Sequence, residues 1–304
     1  MARKSKINNE EEHKTGYVAL FGRPNVGKST LLNYLLKQKI SITSRKPQTT
    51  RVNVLGIDTE KTHQAIYVDT PGIIKETKNT LNRFMVDSAK SMVDDVDLAV
   101  LLVEAGKYSD ADEHVVSLLR QRKGVTVCVI TKIDLIKDKL ALLPQMEQLN
   151  SLGVFEEIIP LSALKQDGVE EFRQVVFSRL PAGGHLFEED QVTDRSEQFI
   201  VGELIREKVM RQLGDEIPHS SGVMIESFSA LEKLTDIRAC IHVERESQKK
   251  IVIGAKGERL KRIGSDARKD IEVLLGRKVM LHLWVKVQKG WTNQTVGLHK
   301  LGYR

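Results

Sequence analysis

The clearest indication of the fold of this chain is the sequence Gly22-Arg23-Pro24-Asn25-Val26-Gly27-Lys28-Ser29-Thr30. It has the G-x-x-x-x-G-K-S spacing of a phosphate-binding loop, whose glycines let backbone N–H groups line a concavity around polyphosphate oxygens. Lys28 brings a compact positive charge to the β- and γ-phosphates, and the Ser29 hydroxyl can hold Mg²⁺. An apolar run at 17–21 precedes the loop, and a helical pattern at 29–36 follows it. We therefore predict a strand–loop–helix unit whose loop, the P-loop (residues 22–30), binds a nucleoside triphosphate.

Length and composition indicate a globular protein of two domains. The chain has 304 residues, of which 40% are hydrophobic, and one large and one small domain suit that length better than a single core. Cys128 and Cys240 lie in separate apolar runs, which predicts reduced core thiols in a reducing compartment. The polar start of the chain and the lack of an apolar run of about 20 residues predict a cytoplasmic location.

Strand-like and helical patterns alternate through residues 16–181. The strand-like runs lie at 17–21, 65–68, 98–103, 125–130 and 157–160, and helical patterns lie at 79–92, 110–122, 138–149 and 168–180. This alternation predicts the α/β class, with a mostly parallel sheet and helices on both of its faces. In such a fold the ligand lies at the carboxyl ends of the strands, so the loops that follow the strands should carry the chemistry.

The loop after the second run has the D-x-x-G pattern. It reads Asp69-Thr70-Pro71-Gly72. An acidic side chain at a strand end can reach the Mg²⁺ shell through water, and the backbone N–H of Gly72 can approach a γ-phosphate. Loss of that phosphate would release the following loop, which is the physical basis of a nucleotide switch. We therefore predict nucleotide contacts across residues 69–73.

The loop after the fourth run selects the base. It reads Thr131-Lys132-Ile133-Asp134. The Asp134 carboxylate can accept two hydrogen bonds from the N1–H and N2–H₂ edge of guanine, which adenine lacks, and the Lys132 stem can lie along the purine face. After the last run, the loop that holds Ser162 and Ala163 offers a backbone N–H to guanine O6. The predicted ligand is therefore GTP.

With these motifs in order, residues 16 to 180 resemble the GTPase domain of the translation-factor class. One position departs from that pattern, because the family usually has asparagine where this chain has Thr131. The asparagine ties the base loop to the P-loop and contacts the purine. Threonine is shorter but keeps a hydroxyl, so we expect a changed nucleotide affinity and an unchanged choice of base.

The same resemblance identifies residues 41–51 as the first switch segment. This stretch is polar and has neither helical nor strand periodicity. In such a segment a threonine hydroxyl and carbonyl complete the Mg²⁺ shell when GTP is bound, and Thr49 and Thr50 are both candidates. We favour Thr50, which would share the ion with Ser29 and Asp69.

The catalytic machinery is predicted to be sparse. Ile73 stands where many GTPases place a glutamine that orients the attacking water, and no arginine finger is identifiable in the sequence. Hydrolysis should then depend on Lys28, Thr50 and Gly72 and should be slow without help. In GTPases with a hydrophobic residue after D-x-x-G, the P-loop asparagine is associated with a bound potassium ion. Asn25 is therefore predicted to hold K⁺ in place of an arginine.

A second, smaller domain follows the Pro- and Gly-rich stretch at 181–184. We predict a polar tail at 1–15, the GTPase domain at 16–181, a linker at 182–194 and the second domain at 195–304. Its patterns predict a helix to 213, strands at 222–228 and 239–244, a short basic helix, a helix at 258–275 and a strand at 279–287. The order α-β-β-α-GxxG-α-β resembles the type II KH module, an α+β fold that grips about four unpaired nucleotides.

The G-x-x-G motif at 254–257 is the candidate RNA contact. Its glycines let a nucleic-acid backbone approach closely, and residues 249–304 carry 14 basic against 4 acidic side chains. Trp284 and Trp291 are candidates for stacking on bases, although Trp284 is more typical of a core position. The predicted RNA-binding residues are Lys249, Lys250, Gly254, Ala255, Lys256, Gly257, Arg259, Lys261 and Arg262.

A P-loop GTPase domain followed by a type II KH domain is the architecture of the Era family. The resemblance covers nearly the whole chain and includes G-R-P-N-V-G-K-S-T, Q-T-T-R, D-T-P-G-I, T-D-R-S, V-E-R-E-S-Q-K-K-I-V-I-G and L-W-V-K-V. It implies a GTPase that uses GTP, GDP and Mg²⁺ and binds the 3′ end of 16S ribosomal RNA when GTP is bound. It further implies a role in 16S rRNA maturation and 30S subunit assembly, with peripheral association with the inner membrane. We expect a monomer.

Two other classes of protein remain as alternatives. One is a P-loop ATPase or kinase, from which ATP would displace a GTP analogue. The other is an RNA chaperone with a vestigial nucleotide site, in which Lys28→Ala would leave RNA affinity and cellular function intact. The phosphate, magnesium and guanine motifs argue against both.

Overall fold

A computed structural model describes residues 12–75, 80–213, 221–294 and 298. The N-terminal domain contains β1 (Lys14–Phe21), α1 (Lys28–Leu35), β2 (Val54–Glu60), β3 (His63–Asp69), α2 (Thr80–Asp95), β4 (Leu98–Glu104), α3 (Asp110–Leu119), β5 (Val125–Thr131), α4 (Leu143–Ser151), β6 (Glu157–Pro160) and α5 (Val169–Arg179). The C-terminal domain contains α6 (Glu197–Gln212), β7 (Gly222–Ala230), β8 (Thr235–Val243), α7 (Glu246–Ile253), α8 (Glu258–Leu275) and β9 (Val279–Val287). Within these ranges no helix has both the length and the apolar character needed to cross a membrane.

The N-terminal domain is built on a six-stranded sheet in the order β2-β3-β1-β4-β5-β6. Neighbouring strands run parallel, except that β2 pairs antiparallel with β3. The prediction of a mostly parallel α/β sheet is therefore confirmed, and every predicted strand is present. Because the parallel strands end at one edge of the sheet, the loops that follow β1, β3 and β5 meet there.

Strand β2 is absent from the sequence prediction. Its sequence, VLGIDTE, mixes apolar and polar residues around a glycine and forms no continuous apolar run. Gly56 lets the strand pack closely against α1, since a Cβ at that position would lie 2.6 Å from the Cδ1 atoms of both Leu32 and Leu36 and would displace those side chains. Close packing beneath α1, together with pairing to β3, makes this segment a strand, and neither contact leaves a local sequence pattern.

Helices cover both faces of the sheet, as predicted. Within β4, Val100 and Leu102 belong to the cluster that includes α1 and α5. Leu101 and Val103, which point the other way, belong to the cluster that includes α3 and α4. Each such side chain contributes about 1.5–3 kcal/mol when it is fully buried. Since the central strands are buried on both faces, polar side chains are confined largely to the strand ends.

The C-terminal domain has a three-stranded sheet in the order β7-β8-β9. Strand β7 is antiparallel to β8, and β9 is parallel to it. Helices α6 and α8 pack on one face, where Leu204, Ile241 and Ile263 are buried in one cluster. This is the predicted α+β order, and α8 and β9 begin and end at the predicted residues.

The connection between the domains lies along the edge of the first sheet. In the middle of β2, the Ile57 N–H donates to the carbonyl of Val192 at 2.9 Å. The hydroxyl of Thr193 donates to the carbonyl of Leu55 at 2.7 Å. Residues predicted as a linker therefore cover the edge strand instead of bridging a gap, which also protects its free backbone groups. The predicted domain limits themselves stay predictions.

Trp291 crosses back to the N-terminal domain. Its side chain is fully buried, and it belongs to the same cluster as the α1 and α5 side chains. The guanidinium carbon of Arg51 lies 5.8 Å from its ring centroid. Trp291 is therefore unavailable for stacking on bases, and that suggestion is wrong. Trp284 is half-buried in β9, with the Lys286 ammonium 5.9 Å from its ring centroid.

Candidate nucleotide site and nucleic-acid interface

The P-loop has the backbone shape that phosphate binding requires. Gly22 and Gly27 have φ angles of 147° and 114°, which residues with side chains rarely adopt. At Gly22 a Cβ would also lie 2.7 Å from the carbonyl oxygen of Leu102. Helix α1 begins at Lys28, within the last residues of this loop, and no side chain caps its N-terminus. Its first N–H groups are therefore available to an anion.

Lys28 is buried beneath the loop. Its ammonium donates to the carbonyl oxygens of Gly22 at 3.0 Å and Arg23 at 3.1 Å. Burial lowers the pKa of Lys28 to about 8, although the negative charge of Asp69 acts in the opposite direction. A buried ammonium held by neutral carbonyl groups favours the arrival of an anion, so Lys28 is placed to receive phosphate.

Hydroxyl groups converge on the Asp69 carboxylate at the end of β3. Asp69 Oδ2 accepts hydrogen bonds from Ser29 and Ser41 Oγ, each at 2.6 Å. The Thr50 hydroxyl lies 3.3 Å from the same oxygen and 2.9 Å from Ser29 Oγ. The Thr49 hydroxyl donates instead to a backbone carbonyl of its own loop at 2.7 Å. Of the two candidate threonines, Thr50 is the one that lies in this corner.

The corner fits a magnesium ion. Asp69 Oδ1 is buried and has no hydrogen-bond partner among the residues that the structure describes. Burial raises the pKa of Asp69, while the hydroxyls of Ser29 and Ser41 oppose the rise. A buried carboxylate oxygen without a partner is costly unless a cation or a donor meets it. Carboxylate and hydroxyl oxygens are also ligands that suit Mg²⁺.

A cavity of about 930 Å³ extends from the P-loop to the base-selecting loops. Its volume suits a small-molecule ligand. The predicted site residues that line it are Pro24, Asn25, Gly27, Lys28, Ser29, Thr30, Thr50, Gly72, Thr131, Lys132, Asp134, Ser162 and Ala163. Those that do not line it are Gly22, Arg23, Val26, Asp69, Thr70, Pro71 and Ile73. The second group therefore shapes or charges the pocket without forming its surface.

The base-selecting loops are tied to each other and to the P-loop. The Ser162 hydroxyl donates to Asp134 Oδ1 at 2.6 Å, which holds the carboxylate at the pocket wall. The Thr131 hydroxyl donates to the carbonyl of Val26 at 2.6 Å, and Lys132 Nζ donates to the carbonyl of Asn25 at 2.8 Å. Thr131 thus makes the link to the P-loop that the usual asparagine was expected to make.

The D-x-x-G loop passes directly beneath the P-loop. A Cβ on Gly72 would lie 2.7 Å from the backbone nitrogen of Pro24, so a side chain there would collide. The Thr70 hydroxyl donates to the carbonyl of Leu20 at 2.6 Å, and the Ile73 N–H donates to the carbonyl of Gly22 at 3.3 Å. The side chain of Ile73 is buried in the core. It therefore offers no polar group to an attacking water.

The site also includes polar residues outside the predicted set, among them Ser41 and Glu104. Ser41 bonds to Asp69 from the first switch segment, and Glu104 ends β4 and lines the cavity. Glu104 follows the same rule that identified Asp69 and Thr131, since it is the first polar side chain after a buried strand. No short motif includes Ser41, whose position depends on the path of the whole segment.

The C-terminal domain holds the first switch segment (residues 41–51) through α6. Glu207 Oε1 accepts from the Thr43 N–H at 2.9 Å, and Arg211 donates to the Thr43 carbonyl at 2.9 Å. The Arg206 guanidinium donates to the carbonyl of Thr49. Burial disfavours ionisation of Glu207, but the hydrogen bonds from Lys39 and Thr43 outweigh it and lower the pKa of the carboxyl. The contact is thus made by a buried, charged group.

Glu207 also belongs to an ionic cluster that reaches α8. Lys39 Nζ lies 2.6 Å from Glu207 Oε2 and 2.9 Å from Asp270 Oδ2. Lys208 pairs with both carboxylates. We call this set, Lys39, Glu207, Lys208 and Asp270, the charge junction. It connects Lys39, two positions before the first switch segment, to the helix that follows the G-x-x-G motif.

The GxxG loop (residues 254–257) opens α8 at the surface. Gly254, Lys256 and Gly257 have φ angles of 74°, 50° and 79°. The Arg259 guanidinium donates to the Ile251 carbonyl at 2.6 Å and braces the loop from its far side. Among the predicted RNA-binding residues, Lys249 is half-buried, and the exposed ones are Lys250, Ala255, Lys256, Arg259, Lys261 and Arg262. The surface is therefore basic and open, as a polyanion requires.

Two family models match the chain. The model described as 50S ribosome-binding GTPase matches residues 17–132, and the model described as KH domain matches residues 216–292. The chain is 50% identical over 295 residues to the GTPase Era of Azotobacter vinelandii, which covers 97% of this chain and 98% of the relative. It is 49% identical over 297 residues to the GTPase Era of Pseudomonas syringae pv. tomato, with coverage of 98% and 99%.

Solved structures of Era have the same fold. A crystal structure of Era in complex with MgGDPNP and nucleotides 1506–1542 of 16S ribosomal RNA matches with a TM-score of 0.92 and 38% identity, over 96% of this chain and 99% of that one. A structure of Aquifex aeolicus Era bound to GDP·AlF4⁻ matches with the same score and identity, over 95% and 99%. Since identity extends over nearly the full length of both chains and both domains are in place, the chain belongs to the Era family of GTPases.

Proposed function

We propose that this chain is a GTP-hydrolysing switch whose nucleotide state sets the RNA affinity of its KH domain. The observation that carries the proposal is that one segment contacts both the corner around Asp69 and helix α6 of the C-terminal domain. Thr50, at one end of residues 41–51, lies beside Ser29 and Asp69. Thr43, near the other end, is hydrogen-bonded to Glu207 of α6. A nucleotide that moves this segment therefore acts on the second domain as well.

The proposed ligand is a guanine nucleotide with Mg²⁺. Support comes from the related Era structure that contains MgGDPNP and from the unpartnered Asp69 oxygen. Ser29, Thr50 and Asp69 would hold the ion, which would supply positive charge to neutralise the phosphates. Lys28 would meet the same phosphates from the buried side, and Asp134 would read the guanine edge.

Hydrolysis should be slow in the isolated protein, and we propose that K⁺ assists it. Ile73 supplies no polar atom, so positioning by Lys28 and Gly72 carries much of the chemistry. Asn25 Nδ2 donates to the carbonyl of Arg45 at 2.6 Å, so the P-loop and the first switch segment approach each other here. A cation between these groups would supply the charge that an arginine provides elsewhere. Identical turnover in K⁺ and Na⁺ at equal ionic strength would contradict this assignment.

The charge junction is the proposed path from the nucleotide to RNA. Glu207 holds Thr43 with one carboxylate oxygen and Lys39 with the other. Lys39 continues to Asp270 on α8, and the GxxG loop lies at the N-terminus of that helix. When the first switch segment changes shape, these bonds cannot all persist, so the orientation of α8 relative to the GTPase domain changes with them.

The proposed RNA partner is the 3′ end of 16S ribosomal RNA. Support comes from the related Era structure with nucleotides 1506–1542 and from the basic, exposed face around the GxxG loop. We extend the proposal to a role in 16S rRNA maturation and 30S subunit assembly. A monomer in the cytoplasm, with peripheral association with the inner membrane, completes the proposal.

The experiment measures binding of a labelled 16S 3′-end oligonucleotide with a GTP analogue, with GDP and without nucleotide. We expect the tightest binding with the analogue, and equal affinity in all three states would refute nucleotide gating. Glu207→Gln removes the charge that holds Thr43 and Lys39, so the ratio of affinities between the analogue and GDP states should fall about fivefold. Glu197→Gln, at an exposed position on the same helix that pairs with Arg277 instead of the charge junction, serves as the matched control.

A further inference from the structure

Glu104 stands between the two loops that hold the nucleotide. It is the last residue of β4, the strand between β1, which leads into the P-loop, and β5, which leads into the base loop. Its side chain is 8% exposed and lines the nucleotide cavity. No phosphate, magnesium or guanine motif includes it. A buried carboxylate in a pocket for a polyanion is unexpected on charge alone, because it repels the ligand.

The carboxylate is paired with cations from both loops. Glu104 Oε2 lies 2.9 Å from Lys132 Nζ and 3.4 Å from Arg23 Nη2. Its other oxygen accepts from Lys107 at 2.6 Å. Lys107 is 65% exposed, so solvent screens that pair, and Lys107 belongs to neither of the two loops. The pairs with Lys132 and Arg23 are less exposed and connect the base loop to the P-loop.

The carboxylate stays charged throughout the physiological range. Burial disfavours its ionisation, but the hydrogen bonds and charges of Lys107 and Lys132 outweigh that effect and lower the pKa of Glu104 to about 2. A permanently charged acceptor therefore faces the Lys132 ammonium. The same ammonium donates to the carbonyl of Asn25 at 2.8 Å, so its position is fixed from two directions.

Arg23 is held from its other side by α3. Its Nε lies 3.2 Å from the carboxylate of Asp112, which is fully buried. Asp112 also accepts from the backbone N–H and hydroxyl of Ser109 at the start of α3, so it cannot move freely. The Arg23 side chain is thus held between two acids, and Arg23 does not line the nucleotide cavity. Its positive charge therefore helps to fix the conformation of the P-loop.

We propose that Glu104 is a positioning residue for the guanine nucleotide. It holds the Lys132 ammonium against the P-loop, so that the aliphatic stem of Lys132 lies extended where the purine binds. Through Arg23 it also fixes the outer arm of the P-loop relative to the base loop. This inference rests on the proposed GTP-binding function, and it assigns the ionic link between the base and phosphate halves of the pocket to one residue.

The test compares GDP affinity in Glu104→Gln and Lys132→Met, alone and combined. Methionine keeps an apolar stem but lacks the ammonium, so it removes the partner of Glu104 with little change in volume. We expect Glu104→Gln alone to weaken GDP binding about tenfold, and by only about threefold in the Lys132→Met background, where the link to Arg23 remains. The KM for GTP should rise by a similar factor, while kcat changes by less than about twofold.

Glu113→Gln is the matched control, because Glu113 lies on α3 and pairs with Tyr108 instead of either loop. Thermal unfolding of each nucleotide-free variant shows whether the fold is retained. Equal losses from Glu104→Gln with and without Lys132→Met, or no loss at all, would overturn the inference. If the unmodified chain bound no GDP, the proposed function itself would fail, which is a different outcome.

Discussion

The P-loop and the GxxG loop are both glycine loops with a lysine that is predicted to contact phosphate, but they differ in enclosure. Lys28 is 5% exposed and lies under its own loop, where burial lowers its pKa to about 8. Lys256 is exposed at the surface. The P-loop is also tied to a neighbouring loop by the Thr131 hydroxyl, whereas the GxxG loop is braced by Arg259.

The degree of enclosure determines which ligands each loop can distinguish. An enclosed, desolvated site strengthens each polar contact and excludes ligands that leave a buried group unpaired, so it distinguishes one nucleotide from another. An open basic loop cannot discriminate in this way. Its affinity for RNA should come from several screened phosphate contacts along the polymer, and it should fall as salt rises. The P-loop is therefore suited to bind the nucleotide that acts as the signal, and the GxxG loop is suited to bind the RNA target that the nucleotide controls.

Removal of the buried lysine should have the largest effect. Lys28→Ala deletes the buried ammonium, and the P-loop contains no second lysine that could replace it. GTP and GDP affinity should therefore fall about 100-fold or more. The measurement is titration with a fluorescent guanine nucleotide. RNA affinity without nucleotide should stay unchanged, because the GxxG loop is remote from this pocket. Lys61→Ala, an exposed lysine in the β2–β3 turn, is the control, and a loss smaller than tenfold would contradict the argument.

The two glycines of the GxxG loop should respond unequally. Gly254 has φ 74° and ψ 177°, a region essentially restricted to glycine, and a Cβ there would lie 2.7 Å from Arg259 Cβ. Gly257 has φ 79° and ψ 7°, and a Cβ there meets nothing within 4 Å. We expect Gly254→Ala to weaken RNA binding about tenfold or more, and Gly257→Ala by about fivefold or less.

Anisotropy with the 16S 3′-end oligonucleotide checks this order, and nucleotide affinity serves as the internal control. Both variants should bind GDP like the unmodified chain, since neither position approaches the P-loop. Equal losses of RNA affinity would show that the open loop does not depend on its backbone shape. The difference between the GxxG loop and the enclosed P-loop would then come only from the charged side chains.

Sequence could predict the parts of both sites that depend on short spacing. Lys28, Asp69 and Asp134 each follow a buried strand within a few residues, so the strand pattern and the motif specify their position together. The GxxG loop is likewise predicted by the position of its motif between two helices. In each case the local sequence and the parallel topology give the same answer.

Contacts between distant segments could not be predicted from spacing. Glu207 meets Thr43 across 164 positions, and nothing near either residue marks the pair. Trp291 has the aromatic character expected of a base-stacking residue, yet it is buried against the first domain. Strand β2 lacks an apolar run because the sheet edge and α1 determine its conformation. These features depend on how the two domains pack, and periodicity does not record that.

The smallest expected effect is a pH dependence confined to the enclosed loop. In the nucleotide-free protein the pKa of Lys28 is about 8, and bound phosphates favour its charged form. GDP affinity should therefore be constant below that value and fall as pH rises through it, by about fourfold between pH 7 and 8.5. Lys28→Arg, which stays charged in this range, should show no such decline in whatever affinity it retains.

The stability of the nucleotide-free protein should change in the opposite direction. The pKa of Lys28 is lowered from an ordinary value of 10.5, so between about pH 8 and 10.5 the unfolded chain binds more protons than the folded one. The contribution of Lys28 to the free energy of unfolding therefore increases as pH rises through this window. Binding titrations and thermal unfolding at the same pH values test the pair of trends. If GDP affinity and the contribution of Lys28 to the free energy of unfolding both decreased as pH rose, the buried Lys28 ammonium would not be the titrating group. Burial of Lys28 would then not explain the difference between the P-loop and the GxxG loop.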